Sequence, residues 1–222
     1  MSTARDYSVL LQTLKLLEKK HRGGVREKDL KLLRERLSDR KEAEVRSLKG
    51  LEGGFEVIAG ELDEALIRLD STLHLRNHFD SIGPGMKRIY RRGRQHLQEM
   101  QEERTMETLH EYRKNCRYLQ YQMELIQPLF PELLRPYATT LDEHAELLGK
   151  IRDFQRFKSY IQHEMMEVIS HTGIKHLAHA VSQMEQKITT GVLRNAALIF
   201  AEKPRRFTER IQFYWNLQHS IN

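Results

Sequence analysis

Apolar residues recur three and four positions apart along most of the chain. Leu10, Leu14 and Leu17 form one such set, and Leu30, Leu33 and Leu37 form another. That spacing belongs to helices with one apolar face. No stretch alternates apolar and polar residues as a half-buried strand does. Leu, Glu, Lys, Arg and Gln, all good helix formers, dominate the segments between breaks. The breaks fall at Gly23-Gly24, Gly53-Gly54, residues 81–85 (SIGPG), 127–136 (QPLFPELLRP), Gly173 and 202–204 (EKP). Three of the five prolines, Pro128, Pro131 and Pro136, cluster in one of them. The pattern predicts an all-α protein of seven or eight helices in an antiparallel bundle or bundles.

Two helices stand out. Over residues 108–126, placed at about 100° per residue, Leu109, Tyr112, Cys116, Leu119, Met123 and Ile126 share one face. His110, Arg113, Lys114 and Arg117 share the nearly opposite face, with Tyr121 one turn further on. Like charges crowded in this way destabilise a helix unless something negative meets them. Upstream, residues 85–98 hold Lys87, Arg88, Arg91, Arg92 and Arg94 and no acid. Met86, Ile89, Tyr90, Gly93 and Leu97 make the apolar face there. Lys87, Arg91 and Arg94 lie on one flank with Gln98, and Arg88 and Arg92 lie on the other. Gly93 in the apolar stripe permits a close approach by a neighbour. A turn between residues 98 and 108 would pack the two helices antiparallel, with their cationic flanks toward a shared groove. No Gly or Pro marks that turn.

Charge sharpens this picture. The 222 residues carry 37 Lys and Arg against 31 Asp and Glu, a formal net charge of +6. The isoelectric point is near 9.4 and the mean hydropathy −0.64. A polyanionic partner fits such a balance, as does an ordinary charged surface. Of the nine basic residues between 87 and 117, seven are Arg and two are Lys. The planar guanidinium fork matches phosphate oxygens better than an ammonium does.

Other chemistry finds little support. A lone cysteine, Cys116, rules out an intrachain disulfide and reads as a core residue. His171, His176 and His179 lack a nearby carboxylate to complete a metal set. No nucleophile elbow, phosphate loop or placed carboxylate pair occurs. The expectation is therefore a protein that is not an enzyme and needs no cofactor. No apolar run reaches the ~20 residues of a membrane span, and no signal peptide opens the chain, which reads as cytoplasmic.

The stretches YRRGRQHLQEM, TLHEYRKNCRYLQYQMELI and LLGKIRDFQRFKSYI resemble the second half of a CHAD (conserved histidine α-helical) domain, over about residues 85–215. His110, Arg113, Lys114, Arg117 and Tyr118 fall on that family's His-x-x-Arg-Lys helix. Leu148, Gly149 and Asp153 fall on its Leu-Gly-x-x-x-Asp segment. Lys203, Arg205, Arg206 and Arg210 fall on its C-terminal segment. The resemblance implies two helical bundles related by pseudo-twofold symmetry, basic residues lining a cleft between them, and non-catalytic binding of inorganic polyphosphate. It also implies polyphosphate-metabolising enzymes as partners and association with polyphosphate granules. No first-half His-x-x-Arg helix is found. A loose internal match of 32–45 to 145–157 would place that helix before Met1. The expected division is thus 1–80, the remainder of a first bundle half incomplete at its N-terminus, and 81–222, the second half with the basic cluster. A homodimer could then complete the missing half.

Three functional readings stay open on the residues themselves. One is a polyphosphate-binding domain using His110, Arg113, Lys114, Arg117, Lys87, Arg91, Arg94, Arg88, Arg205 and Arg206. A second is a nucleic-acid binder on the same basic surface, with Tyr118 and Tyr121 for base stacking. A third is a scaffold that docks onto another chain.

Overall fold

The computed structural model describes residues 3–20, 25–48, 52–72 and 78–221. Among these are eight α-helices and no strand: α1 (Thr3–Lys20), α2 (Glu27–Leu48), α3 (Glu52–Thr72), α4 (Gly83–Glu102), α5 (Met106–Ile126), α6 (Pro131–His163), α7 (His171–Ile199) and α8 (Pro204–Ile221). Short 3-10 turns at Phe79–Ser81 and Gln127–Leu129 precede α4 and α6. The all-α reading holds. The expected break at Gly23-Gly24 lies outside the described residues. Gly53 and Gly54 fall in the first turn of α3. The proline-rich break is shorter than expected: α6 begins at Pro131 and carries Pro136 inside it. That proline forgoes only one helical hydrogen bond, the one toward the residue 132 carbonyl.

The described chain forms two compact units, and the division is discontinuous. One unit holds 1–75 and 153–184, the other 76–152 and 185–222. The reading from sequence cut the chain once, near residue 80. It could not register that α6 and α7 each supply residues to both units.

In the first unit α1 packs on α2. Leu10, Leu14, Leu17, Leu33 and Leu37 are all buried there, as their spacing demands, and Leu30 is half-buried. Asp29, near the start of α2, is buried and accepts from Ser170 Oγ at 2.5 Å and from Arg26 Nε at 3.2 Å. Ser170 Oγ in turn accepts from the Gly173 amide at 3.1 Å, capping the N-terminus of α7. A Cβ on Gly173 would sit 2.6 Å from Asp29 Oδ2. The glycine there makes room for the carboxylate. Burial works against the Asp29 charge, but the hydrogen bonds from Ser170 and Arg26 outweigh it and hold its carboxyl below the usual range. Helix α3 differs from its neighbours, because Val57, Ile58, Leu62, Leu66, Ile67 and Leu69 along it are all exposed.

In the second unit α4 packs against both α5 and α8. The three residues 103–105 turn the chain between α4 and α5, so the two run antiparallel. Thr105 caps α5: its Oγ1 accepts from the Thr108 amide at 3.1 Å, while Thr108 Oγ1 accepts from the Thr105 amide at 3.0 Å. This reciprocal pair supplies the stop and start that a Gly or Pro would otherwise mark. The predicted stripe of α5, Leu109 to Ile126, is buried throughout. On α4, Met86, Tyr90, Gly93 and Leu97 are buried and Ile89 is partly so. A Cβ on Gly93 would lie 2.4 Å from the Phe200 ring, so the close approach expected there is an aromatic edge laid on the α4 backbone. Tyr90 stacks on Phe207 with centroids 4.1 Å apart. Trp215 of α8 stacks on His219 at 4.5 Å and lies 6.1 Å from Phe79.

Candidate functional site

Every basic residue singled out from sequence belongs to the second unit. They do not all face one groove. On α4, Lys87, Arg88, Arg91 and Arg92 are exposed. No salt bridge among the described residues involves any of the four. Arg94 is half-buried and Nη1 donates to the Glu202 carbonyl oxygen. Arg91 and Arg94 open, with Gln95, Gln98 and Gln101, onto a cleft of about 490 Å³ whose far side is Phe200 and Pro204. No carboxylate lines it. The flank grouping of Arg91, Arg94 and Gln98 therefore holds, but the cleft faces the α7–α8 connection and draws no residue from α5.

That connection is held firmly. Tyr90 Oη donates to the Ile199 carbonyl and accepts from the Glu202 amide, both at 3.2 Å. Tyr137 Oη donates to the same Ile199 carbonyl at 2.8 Å. Arg210 closes the set with a 2.6 Å bond to the Glu202 carboxylate and lies 5.6 Å from the Phe207 centroid. Burial pushes the Tyr90 hydroxyl up to about 12, so it stays a neutral donor. Arg210 is thus committed to the fold. Arg205 and Arg206, in the first turn of α8, remain well exposed and share Glu209 at 2.7 and 3.2 Å. The Arg205 hydrogen bond holds the Glu209 carboxyl below its ordinary range. The N-terminus of α8 adds its own positive partial charge beside Pro204.

The α5 cations meet negative groups within the protein. Arg113 Nε donates to the Ala145 carbonyl of α6 at 3.1 Å. Its guanidinium lies over Gly149, where a Cβ would come 3.4 Å from Nε. The glycine of the Leu148-Gly149 segment thus lies against Arg113, at a spacing a methyl group would also tolerate. Arg117 donates to the Asp142 carboxylate and, at 2.8 Å, to the Gln120 amide oxygen. Lys114 pairs with Glu111 at 2.6 Å, and that bond holds the Glu111 carboxyl low. His110 is exposed, as are Tyr118 and Tyr121. The face set nearly opposite the apolar stripe is therefore not open surface at Arg113 and Arg117: both are part-buried and bind α6.

Sequence reasoning missed the polar groups buried beneath this helix. Asn115, Gln120 and His144 are buried. His144 Nε2 lies 2.9 Å from Tyr112 Oη, while its Nδ1 has no hydrogen-bond partner among the described residues. Tyr112 on the apolar stripe was a legible signal that a polar partner would be needed inside. Cys116 is fully buried, and burial pushes its thiol up to about 12, so it is an inert core residue. Among the described residues no three His, Cys, Asp or Glu side chains gather as metal ligands. No helix among them is long and apolar enough to cross a membrane.

An all-α domain that sets an acid-free row of arginines on one side of an antiparallel helix pair is the class of protein these observations define. A family model described as CHAD domain matches residues 1–161, and the chain belongs to that family. The match takes in the N-terminal helices, which the reading from sequence assigned to the remainder of a first bundle half, and it stops before 202–215. No curated protein and no solved structure matches the chain.

Proposed function

We propose that this protein binds inorganic polyphosphate without transforming it, on the α4 side of the second unit. The observation that carries the reading is the row of exposed Lys87, Arg88, Arg91 and Arg92, with no salt bridge among the described residues, beside a cleft lined by Arg91 and Arg94 and free of carboxylates. A linear polyanion would lie along α4, one phosphate entering the cleft toward the N-terminus of α8, where Arg205 and Arg206 can turn from Glu209 to it. His110 and Lys114 of α5 are further cations that this reading assigns to the polyanion. Arg113 and Arg117 act by holding α5 on α6. Polyphosphate-metabolising enzymes and storage granules are the partners this reading implies.

The test is a polyphosphate titration at two salt concentrations. Lys87→Gln with Arg91→Gln removes two exposed cations and no contact of the fold. Affinity should fall, and the dependence on salt should flatten because fewer counterions are released. The matched control is Arg36→Gln with Arg46→Gln, two exposed cations on α2 in the other unit. Equal losses in both double variants would reduce the effect to net charge and sink the site. Single-stranded nucleic acid displacing polyphosphate at equal phosphate concentration would favour the nucleic-acid reading, with Tyr118 and Tyr121 stacking on bases.

A further inference from the structure

We infer that α3 is an assembly helix, covered in solution by α3 of a second copy of this chain running antiparallel to it. The helix is the most apolar exposed element described. Leu62 is 60 % exposed, Leu66 63 % and Leu69 51 %. A contiguous apolar face of this kind marks an interaction surface. Its spacing selects the shape of the occupant. Ile58, Leu62, Ala65 and Leu69 are separated by four, three and four residues. This is the a/d alternation that packs one helix against another, and the sequence continues it backward to Phe55.

Charge selects which helix. Glu56, Glu61, Asp63 and Glu64 stand against the single Arg68 over the same stretch, so the helix is repelled by anionic lipid. Glu61 and Arg68 each immediately precede a seam leucine and stand one heptad apart, on the same edge of the seam. In an antiparallel pair that sets Leu62 beside the partner's Ala65, Glu61 and the partner's Arg68 come within about 3 Å of one another along the axis, at 1.5 Å rise per residue. The pair repeats across the twofold axis, giving two ion pairs. Ala59 and Leu66 meet in the same way on the other edge. A parallel pair would set Glu61 against Leu66 and form neither ion pair. Arg68 now reaches Glu64 on its own helix at 3.7 Å, with both side chains exposed. That pair is readily shared with a facing carboxylate. The seam is short, so the dimer belongs in the micromolar range.

Sedimentation equilibrium of the full chain, from nanomolar to high micromolar concentration, tests this. The expected result is a monomer–dimer equilibrium. Leu62→Glu should abolish it. Glu61→Arg or Arg68→Glu alone should each weaken it by about tenfold, and the two together should restore it. All three positions are exposed, so helical ellipticity should stay near that of the wild type and certify the fold. A chain that remains monomeric throughout overturns the proposal, including one that instead binds a basic amphipathic peptide or lipid vesicles. So does a dimer that survives Leu62→Glu, or a double reversal no better than either single change.

Discussion

His144 sits fully buried on α6 against Tyr112, and burial pulls its ring down to about 4. An unfolded chain restores an ordinary histidine near ~6.5. Between those values the unfolded state binds the extra proton, so stability rises with pH. The contribution of the neutral ring is complete above the unfolded value and is lost as pH falls through the window toward 4. From pH 7 to pH 5 the loss from this group is about 2 kcal/mol, at ~1.4 kcal/mol for each unit below ~6.5. Urea unfolding of the wild type and of His144→Gln at both pH values measures it. The wild type should lose about 2 kcal/mol more than the variant on acidification. Equal losses would show that His144 keeps its proton in the folded protein.

Elements were legible where one physical rule dominated. The α5 stripe from Leu109 to Ile126 could be read because 3.6-residue periodicity and burial agree at every position. The α4–α5 turn was harder, because its punctuation is a threonine pair and not Gly or Pro. The cations of α5 were misjudged for a different reason. Helical periodicity reports which residues share a face, not what the next helix brings to that face, and α6 brings the Ala145 carbonyl and Asp142. The consequence can be measured. Relief of like charge alone would make Arg113→Gln with Arg117→Gln slightly stabilising. The bonds to α6 reverse the sign, and the double variant should lose about 1–3 kcal/mol, since part-buried acceptors are left without their charged donors. A variant as stable as the wild type in thermal unfolding would return both residues to a plain solvated surface.

At the scale of the whole molecule, α6 and α7 are the two helices that serve both compact units. Melting either unit therefore removes turns from a helix that the other also uses. Unfolding should accordingly be one transition, with calorimetric and van't Hoff enthalpies in agreement. A calorimetric enthalpy well above the van't Hoff value would show two separate events. The discontinuous division also explains why composition gave no sign of it, since no linker-like segment marks residues 152 or 184, which lie inside helices.

Trp215 is the only tryptophan in the chain, and its ring stacks within 4.5 Å of the imidazole of His219. The molecule thus carries one fluorophore with a second ring laid on its face, and that contact sets its emission. The fluorescence of the unlabelled protein is therefore a private optical channel. It watches the contact between two side chains one turn apart on α8, and it changes when the last turns of that helix come undone.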